Sequence, residues 1–178
     1  MKPVHLNVAP VPATAQLCAQ LADTLLGKKL KLSTAESCTG GMIAAVCTDL
    51  SGSSNWFERG FVSYSNEAKI ELLGVDAALI TRHGAVSEQV VRAMVQGAIT
   101  RSHAQVAVAV TGVAGPTGGS KNKPVGSVWF GWSVNGQVLS ELKHFDGDRA
   151  AVRTATVRHA LAQLLALLSP ASGANGRE

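Results

Sequence analysis

The run AQVAVAVTG, residues 104–112, constrains the fold of this chain more than any other stretch. Nearly every position is apolar, valines alternating with alanines, whereas a strand with one wet face alternates apolar with polar residues. Such a segment is a strand covered on both faces, so it belongs inside a sheet with helices on either side. The rest of the chain supplies those partners. Leu17, Leu21 and Leu25 recur at helical spacing beside Cys18 and Ala22, and predict a helix stopping near Gly27. KLKLSTA (29–35) reads as a strand, and TGGMIAAVCTDL (39–50) as a helix with Met42, Ile43, Val46 and Leu50 on its apolar side. GFVSYS (60–65) reads as a second strand, and NEAKIELLG (66–74) as a helix capped by Asn66. VSEQVVRAMVQGAITRS (86–102) is amphipathic, with Ser87 as cap and a stripe of Val90, Val91, Met94, Val95 and Ala98. GSVWFGWSV and QVLSELKHF flank Asn135–Gly136, a strong hairpin signal. A long helix, 148–169, closes the chain before Pro170.

This order predicts a three-layer α/β/α sandwich with a mixed, partly antiparallel sheet. One domain over residues 12–169 suits a chain of 178 residues, with 1–11 and 170–178 as flexible termini. Its apolar runs fall short of the ~20 residues of a membrane span, and no export signal is evident, so a cytoplasmic protein without membrane contact is expected. Three cysteines without CxxC spacing argue against a disulfide framework or zinc site, and no histidine pair sits at i, i+4. No metal or cofactor is therefore expected. Net charge is +4, but the cations are scattered and few aromatics accompany them, which argues against a nucleic-acid partner.

Four segments are out of character with simple packing. STAESCTGG (33–41) passes from strand to helix through a Ser/Thr/Gly turn, where unpaired amides can hold an anion or a developing oxyanion; Ser37 and Thr39 are equally plain cap residues. SGSSNWFERGFVSYSNEAK (51–69) brings Ser54, Tyr64 and Lys69 into a short span. A serine needs a base to become a nucleophile, and a lysine serves when burial lowers its pKa. VTGVAGPTGGSKNKPVG (110–126) fails the P-loop pattern, yet it leaves the C-terminal end of the central strand, where α/β sheets bind ligands. In FDGDRAAVR (145–153), Arg149 opens a helix, where a cation opposes the helix dipole unless it faces an anionic ligand or an acidic neighbour. Cys38 is a further nucleophile candidate, at a helix start that would lower its pKa.

Taken together, TAESCTGG, GSSNWFERGFVSYSNEAKIELLGV, HGAVSEQVV, AVTGVAGPTGGSKNKPVGSVWFG and FDGDR resemble the CinA C-terminal domain family, over about residues 12–168. The resemblance is to its free-standing form. It implies hydrolysis of nicotinamide mononucleotide to nicotinate mononucleotide and ammonia, in pyridine-nucleotide recycling, by a metal-free serine acyl transfer in a homodimer. On the matching motifs Ser54 would be the nucleophile, Lys69 its general base, Tyr64 an aid to proton transfer and Ser37 a support of the site. Thr111 and Arg149 would bind or orient substrate, with Thr39, Gly40, Gly112 and Gly115 in the glycine-rich turns around it. Ser54 and Ser37 remain rival nucleophiles, and Ser54 can meet Lys69 only if the intervening strand folds back beside it. A non-catalytic module that binds pyridine nucleotides is the alternative.

Overall fold

The apolar run becomes strand β3 (Val106–Gly112), the middle of a five-stranded sheet. The structure, a computed structural model, describes residues 14–169; the termini expected to be flexible lie outside them. The other strands are β1 (Leu32–Glu36), β2 (Phe57–Val62), β4 (Ser127–Val134) and β5 (Gln137–His144), in the spatial order β2-β1-β3-β4-β5. β1 runs parallel to both β2 and β3, while β3, β4 and β5 pair antiparallel. The expected mixed sheet is therefore present, with the β4–β5 hairpin turning at Asn135–Gly136.

Helices cover both faces. Val106, Val108 and Val110 join a core with α1 (Thr14–Lys28), α2 (Met42–Thr48) and α6 (Arg149–Leu168). Ala107 and Ala109 face the other core, with α3 (Asn66–Leu73), α4 (Ala77–His83) and α5 (Glu88–Thr100). The valine–alanine alternation thus assigns bulk to one layer and close approach to the other. Gly131 on β4 serves the same end: a Cβ there would stand 3.0 Å from the Val91 carbonyl oxygen of α5. At Gly97 of α5 an added Cβ would overlap the backbone carbonyl of Leu73, so α3 is seated directly on α5.

α1 stops near Gly27 as expected, ending at Lys28 where the next residue, Lys29, takes φ 56°. Other local expectations change. β2 begins at Phe57 and ends at Val62, which frees Ser63–Ser65 to form a turn. The cap of α3 is Ser65, whose Oγ accepts from Ala68 N at 3.0 Å, and Asn66 is the first helical residue. α4 was not anticipated; Asp76 caps it by accepting from Ala78 N at 2.8 Å. Among the described residues no helix is long and apolar enough to cross a membrane.

Candidate active site

Because β1, β2 and β3 are parallel, their C-terminal ends lie along one edge of the sheet. Glu36 pairs with Val62 on one side and Val110 on the other, so Ser63, Ser37 and Thr111 follow at the same level. The ladder continues into them, with Ser37 N donating to Val110 O (3.1 Å) and Ser63 N to Glu36 O (2.9 Å). All three residues are buried. The Thr111 hydroxyl donates to Ala85 O at 2.9 Å, in the loop before α5. Ser63 Oγ is buried with no hydrogen-bond partner among the described residues.

Lys69, in the first turn of α3, is 1% exposed and reaches into this row. Its Nζ lies 3.0 Å from Ser37 Oγ. It also donates to the carbonyls of Ser63 (2.7 Å), Tyr64 (3.3 Å) and Ser65 (3.4 Å), the turn freed by the early end of β2. Burial holds the amine below the ordinary lysine range; the nearby Cys38 acts weakly in the opposite direction. In its neutral form the amine has two hydrogens, which these carbonyls can take, and a lone pair left to accept from the Ser37 hydroxyl. That is the geometry of a base poised on a nucleophile.

The turn after Ser37 holds an anion, but an internal one and not the ligand or oxyanion its composition suggested. The buried Glu36 carboxylate accepts from Thr39 Oγ1 (2.6 Å), Gly41 N (3.1 Å) and Ile43 N (3.0 Å) through Oε2, and from Ala44 N (2.8 Å) through Oε1. The start of α2 is thereby filled. Gly40 N donates back to Ser37 O at 3.0 Å, whereas the Thr39 amide has no protein acceptor among the described residues. Arg153 grips this turn from α6, donating through Nε to Cys38 O (3.1 Å) and through Nη2 to Thr39 O (2.9 Å).

One helical turn earlier, Arg149 donates to Gly115 O (3.0 Å) and to the hydroxyl of the exposed Tyr64 (2.9 Å). Both arginines line a cavity of about 640 Å³ with Ala114, Pro116, Val125 and Asp148. The glycine-rich loop therefore walls a cavity, with Gly115 held in the left-handed region at φ 80°. Gly112 has a packing reason of its own: a Cβ would come within 2.8 Å of Ser127 O on β4.

Of the expected residues, the fold gathers Ser37, Thr39, Gly40, Tyr64, Lys69, Thr111, Gly115 and Arg149 at one end of the sheet. It does not bring Ser54 there. Ser54 is exposed in a 3-10 turn, Ser53–Asn55, that enters β2 beside the N-terminal end of β1. At ~3.3 Å per residue, the length of β2 separates it from the turn that leads to Lys69. The expected approach of Ser54 to Lys69 fails because Ser54 precedes β2 and Lys69 follows it, so the extended strand holds them at its opposite ends. The thiol candidate fails for another reason. Cys38 is buried, and burial pushes its pKa up to about 11, so the helix start gives it no thiolate character. Sequence reasoning passed over Glu36, Ser63 and Arg153; the one available signal was the i, i+4 spacing of Arg149 and Arg153.

The family model of the CinA C-terminal domain matches residues 14–168. The chain is similar to the nicotinamide-nucleotide amidohydrolase PncC of Pseudomonas putida, 53% identical over 151 residues, which span 85% of this chain and 94% of that protein. It is 49% identical over 150 residues to the protein of the same name from Escherichia coli K12, spanning 84% of this chain and 91% of the relative. Among solved structures, the competence/damage inducible protein CihA from Agrobacterium tumefaciens superposes with a TM-score of 0.85 at 45% identity. That superposition covers 91% of this chain and 100% of the other.

Proposed function

As the chain belongs to the CinA C-terminal domain family, we infer that it is a nicotinamide-nucleotide amidohydrolase, hydrolysing nicotinamide mononucleotide to nicotinate mononucleotide and ammonia. The observation that carries a mechanism is the 3.0 Å contact between Lys69 Nζ and Ser37 Oγ, buried at the end of the parallel strands. Ser37 is the nucleophile in this reading and Lys69 the base. The neutral amine takes the hydroxyl proton as Oγ attacks the carboxamide carbon. The resulting ammonium returns that proton to the leaving nitrogen as the C–N bond breaks, releasing ammonia and leaving an acyl ester on Ser37. Water, deprotonated by the same amine, attacks the ester carbon; the C–Oγ bond breaks, Ser37 regains a proton and the carboxylate departs.

The Thr39 amide, free of protein acceptors, is the donor we assign to the carboxamide oxygen as it gains charge, an interaction worth about 3–4 kcal/mol in acyl transfer. Arg149 and the 640 Å³ cavity beside it suit the anionic, phosphoribosyl part of the substrate. Tyr64, hydrogen-bonded to Arg149, stands at the rim as an orienting group. Thr111 keeps the Ala85 loop against the strand end beside Ser37. Three free cysteines suit a reducing cytoplasm, and a homodimer is the assembly we expect; sedimentation of the purified protein tests the latter. Purified protein should release ammonia from nicotinamide mononucleotide without added metal. Ser37→Ala should abolish release with the fold intact, and a mass spectrum of acylated enzyme should place the adduct on Ser37. Folded wild-type protein that releases no ammonia overturns the reading.

A further inference from the structure

We propose that Arg153 is a positioning residue of the amidase site, whose guanidinium fork fixes and polarises the Cys38–Thr39 peptide so that the Thr39 amide can receive the developing oxyanion. The proposal rests on the amidohydrolase reading and adds a part to it. Arg153 lies 115 residues from Cys38 in sequence, and α6 alone brings it to the turn. Its Nε and Nη2 reach the carbonyls of two consecutive residues, Cys38 and Thr39, at 3.1 and 2.9 Å. Two parallel N–H groups at fixed spacing match two such carbonyls, and a lysine, with one compact charge, cannot reproduce the pair.

The consequence passes through the peptide bond. The Cys38 carbonyl and the Thr39 amide belong to one planar unit, so a cation on the oxygen draws charge from the nitrogen and strengthens N–H as a donor. The same turn is held from behind by the Glu36 carboxylate through Thr39 Oγ1. Thr39 is thus fixed by its hydroxyl and by its carbonyl, and its amide is left without a protein partner among the described residues. A donor held in this way costs no reorganisation when charge appears on the substrate.

Kinetics separate this role from simple attraction of an anionic substrate, because Arg153 also lines the cavity. Steady-state release of ammonia from nicotinamide mononucleotide would be measured for wild type, Arg153→Ala, Arg153→Gln and Arg153→Lys, each checked for folding by thermal melting. The expected result is a roughly 10–100-fold fall in kcat for all three, with KM within about threefold of wild type. Arg153→Lys should fall with the others despite its charge. Millimolar methylguanidinium should restore part of the kcat of Arg153→Ala and do nothing for Ser37→Ala. A full kcat with a raised KM, or a fully active Arg153→Lys, would overturn the proposal in favour of charge attraction. Should Arg153→Ala not fold, the Gln and Lys variants decide. Absence of turnover in wild type counts against the amidohydrolase reading itself, whereas an active wild type with unchanged variants counts against Arg153 alone.

Discussion

Glu36→Gln is the substitution whose outcome the geometry fixes most closely. The carboxylate is 1% exposed and accepts three bonds through Oε2 and the Ala44 amide through Oε1; Thr34 Oγ1 also lies 3.4 Å from Oε1. Glutamine has the same shape but one acceptor atom. Its best orientation keeps the oxygen on the Thr39–Gly41–Ile43 side and turns NH2 toward the Ala44 amide. Thr34 can reverse its hydroxyl and accept from that NH2, but Ala44 N–H is left facing a donor. A buried amide without an acceptor costs about 1–3 kcal/mol. Loss of a negative charge at a partly buried helix start costs up to ~2 kcal/mol more. Relief from burying a charge offsets part of this, so the expected loss is about 2–4 kcal/mol. For a chain of this size each kcal/mol moves Tm by about 2–4 °C, which gives a fall of roughly 4–16 °C by calorimetry at neutral pH. A variant that melts within a degree of wild type would refute the argument that α2 is held by a charge-assisted cap. A more stable one would show that desolvation of the carboxylate outweighs its four short bonds.

Lys69 works as a base only when neutral, and burial sets its pKa below the ~10.4 of a free lysine; kcat/KM should therefore rise with pH along a limb that levels off below that value, and Lys69→Arg should be inactive throughout. The same shift bears on stability: between the folded and unfolded pKa values the unfolded chain binds the extra proton, so stability should increase with pH in that window and be insensitive to this group below it. Cys38→Ala should retain most activity and resist inactivation by no more than wild type under thiol reagents, since a thiol pushed up to about 11 is almost wholly protonated at neutral pH; loss of turnover comparable to Ser37→Ala would make the thiol the nucleophile. Ser54→Ala, remote from Lys69, should leave kcat within about twofold of wild type, read in the same ammonia assay. Gly97→Ala forces a methyl into the Leu73 carbonyl and should cost about 1–3 kcal/mol in urea titration, with a fall in kcat because α3 carries Lys69.

The layers of the fold were legible because they depend on burial, and burial leaves its mark on every second or every third and fourth residue. Val106 to Val110 announced a doubly covered strand, and Val90 to Ala98 a helix with one apolar side; both are where their patterns put them. α4 was not legible, since AALITRH buries only Ile80 and so carries no period to read. The site divides in the same way. Lys69 and Ser37 could be named from residue type, but their partnership depends on which strands are parallel and where β2 ends, and neither is written locally. Ser54 lies 15 residues from Lys69 in sequence and Ser37 lies 32, so sequence distance gives no hint that Ser37 is the serine beside the amine. Strand direction decides it: residues following two adjacent parallel strands meet, and a residue preceding one of them does not. Arg153 was invisible for the plainest reason, being joined to Cys38 only by the packing of the last helix against the second.

The alternation of a single strand also decides whether Lys69 can act at all. Glu36 and Ser37 are neighbours in sequence, and a carboxylate beside the amine would pair with it and hold it as ammonium at neutral pH. The pleat sends the two side chains to opposite faces of the sheet. Glu36 points to the α2 layer, where the helix start and Thr39 consume its acceptor capacity, and Ser37 points to the α3 layer, where Lys69 waits. Among the described residues no carboxylate lies within ion-pair distance of Lys69. The carbonyls of Ser63, Tyr64 and Ser65 satisfy the amine's hydrogens without supplying a full negative charge, so desolvation prevails and the pKa falls. A shift of β1 by one residue would exchange the two neighbours, giving the lysine an anion and the helix a serine. The chemistry assigned to Ser37 therefore depends on register as much as on residue type, which is why Glu36, though it touches no substrate in this mechanism, belongs to the same functional unit.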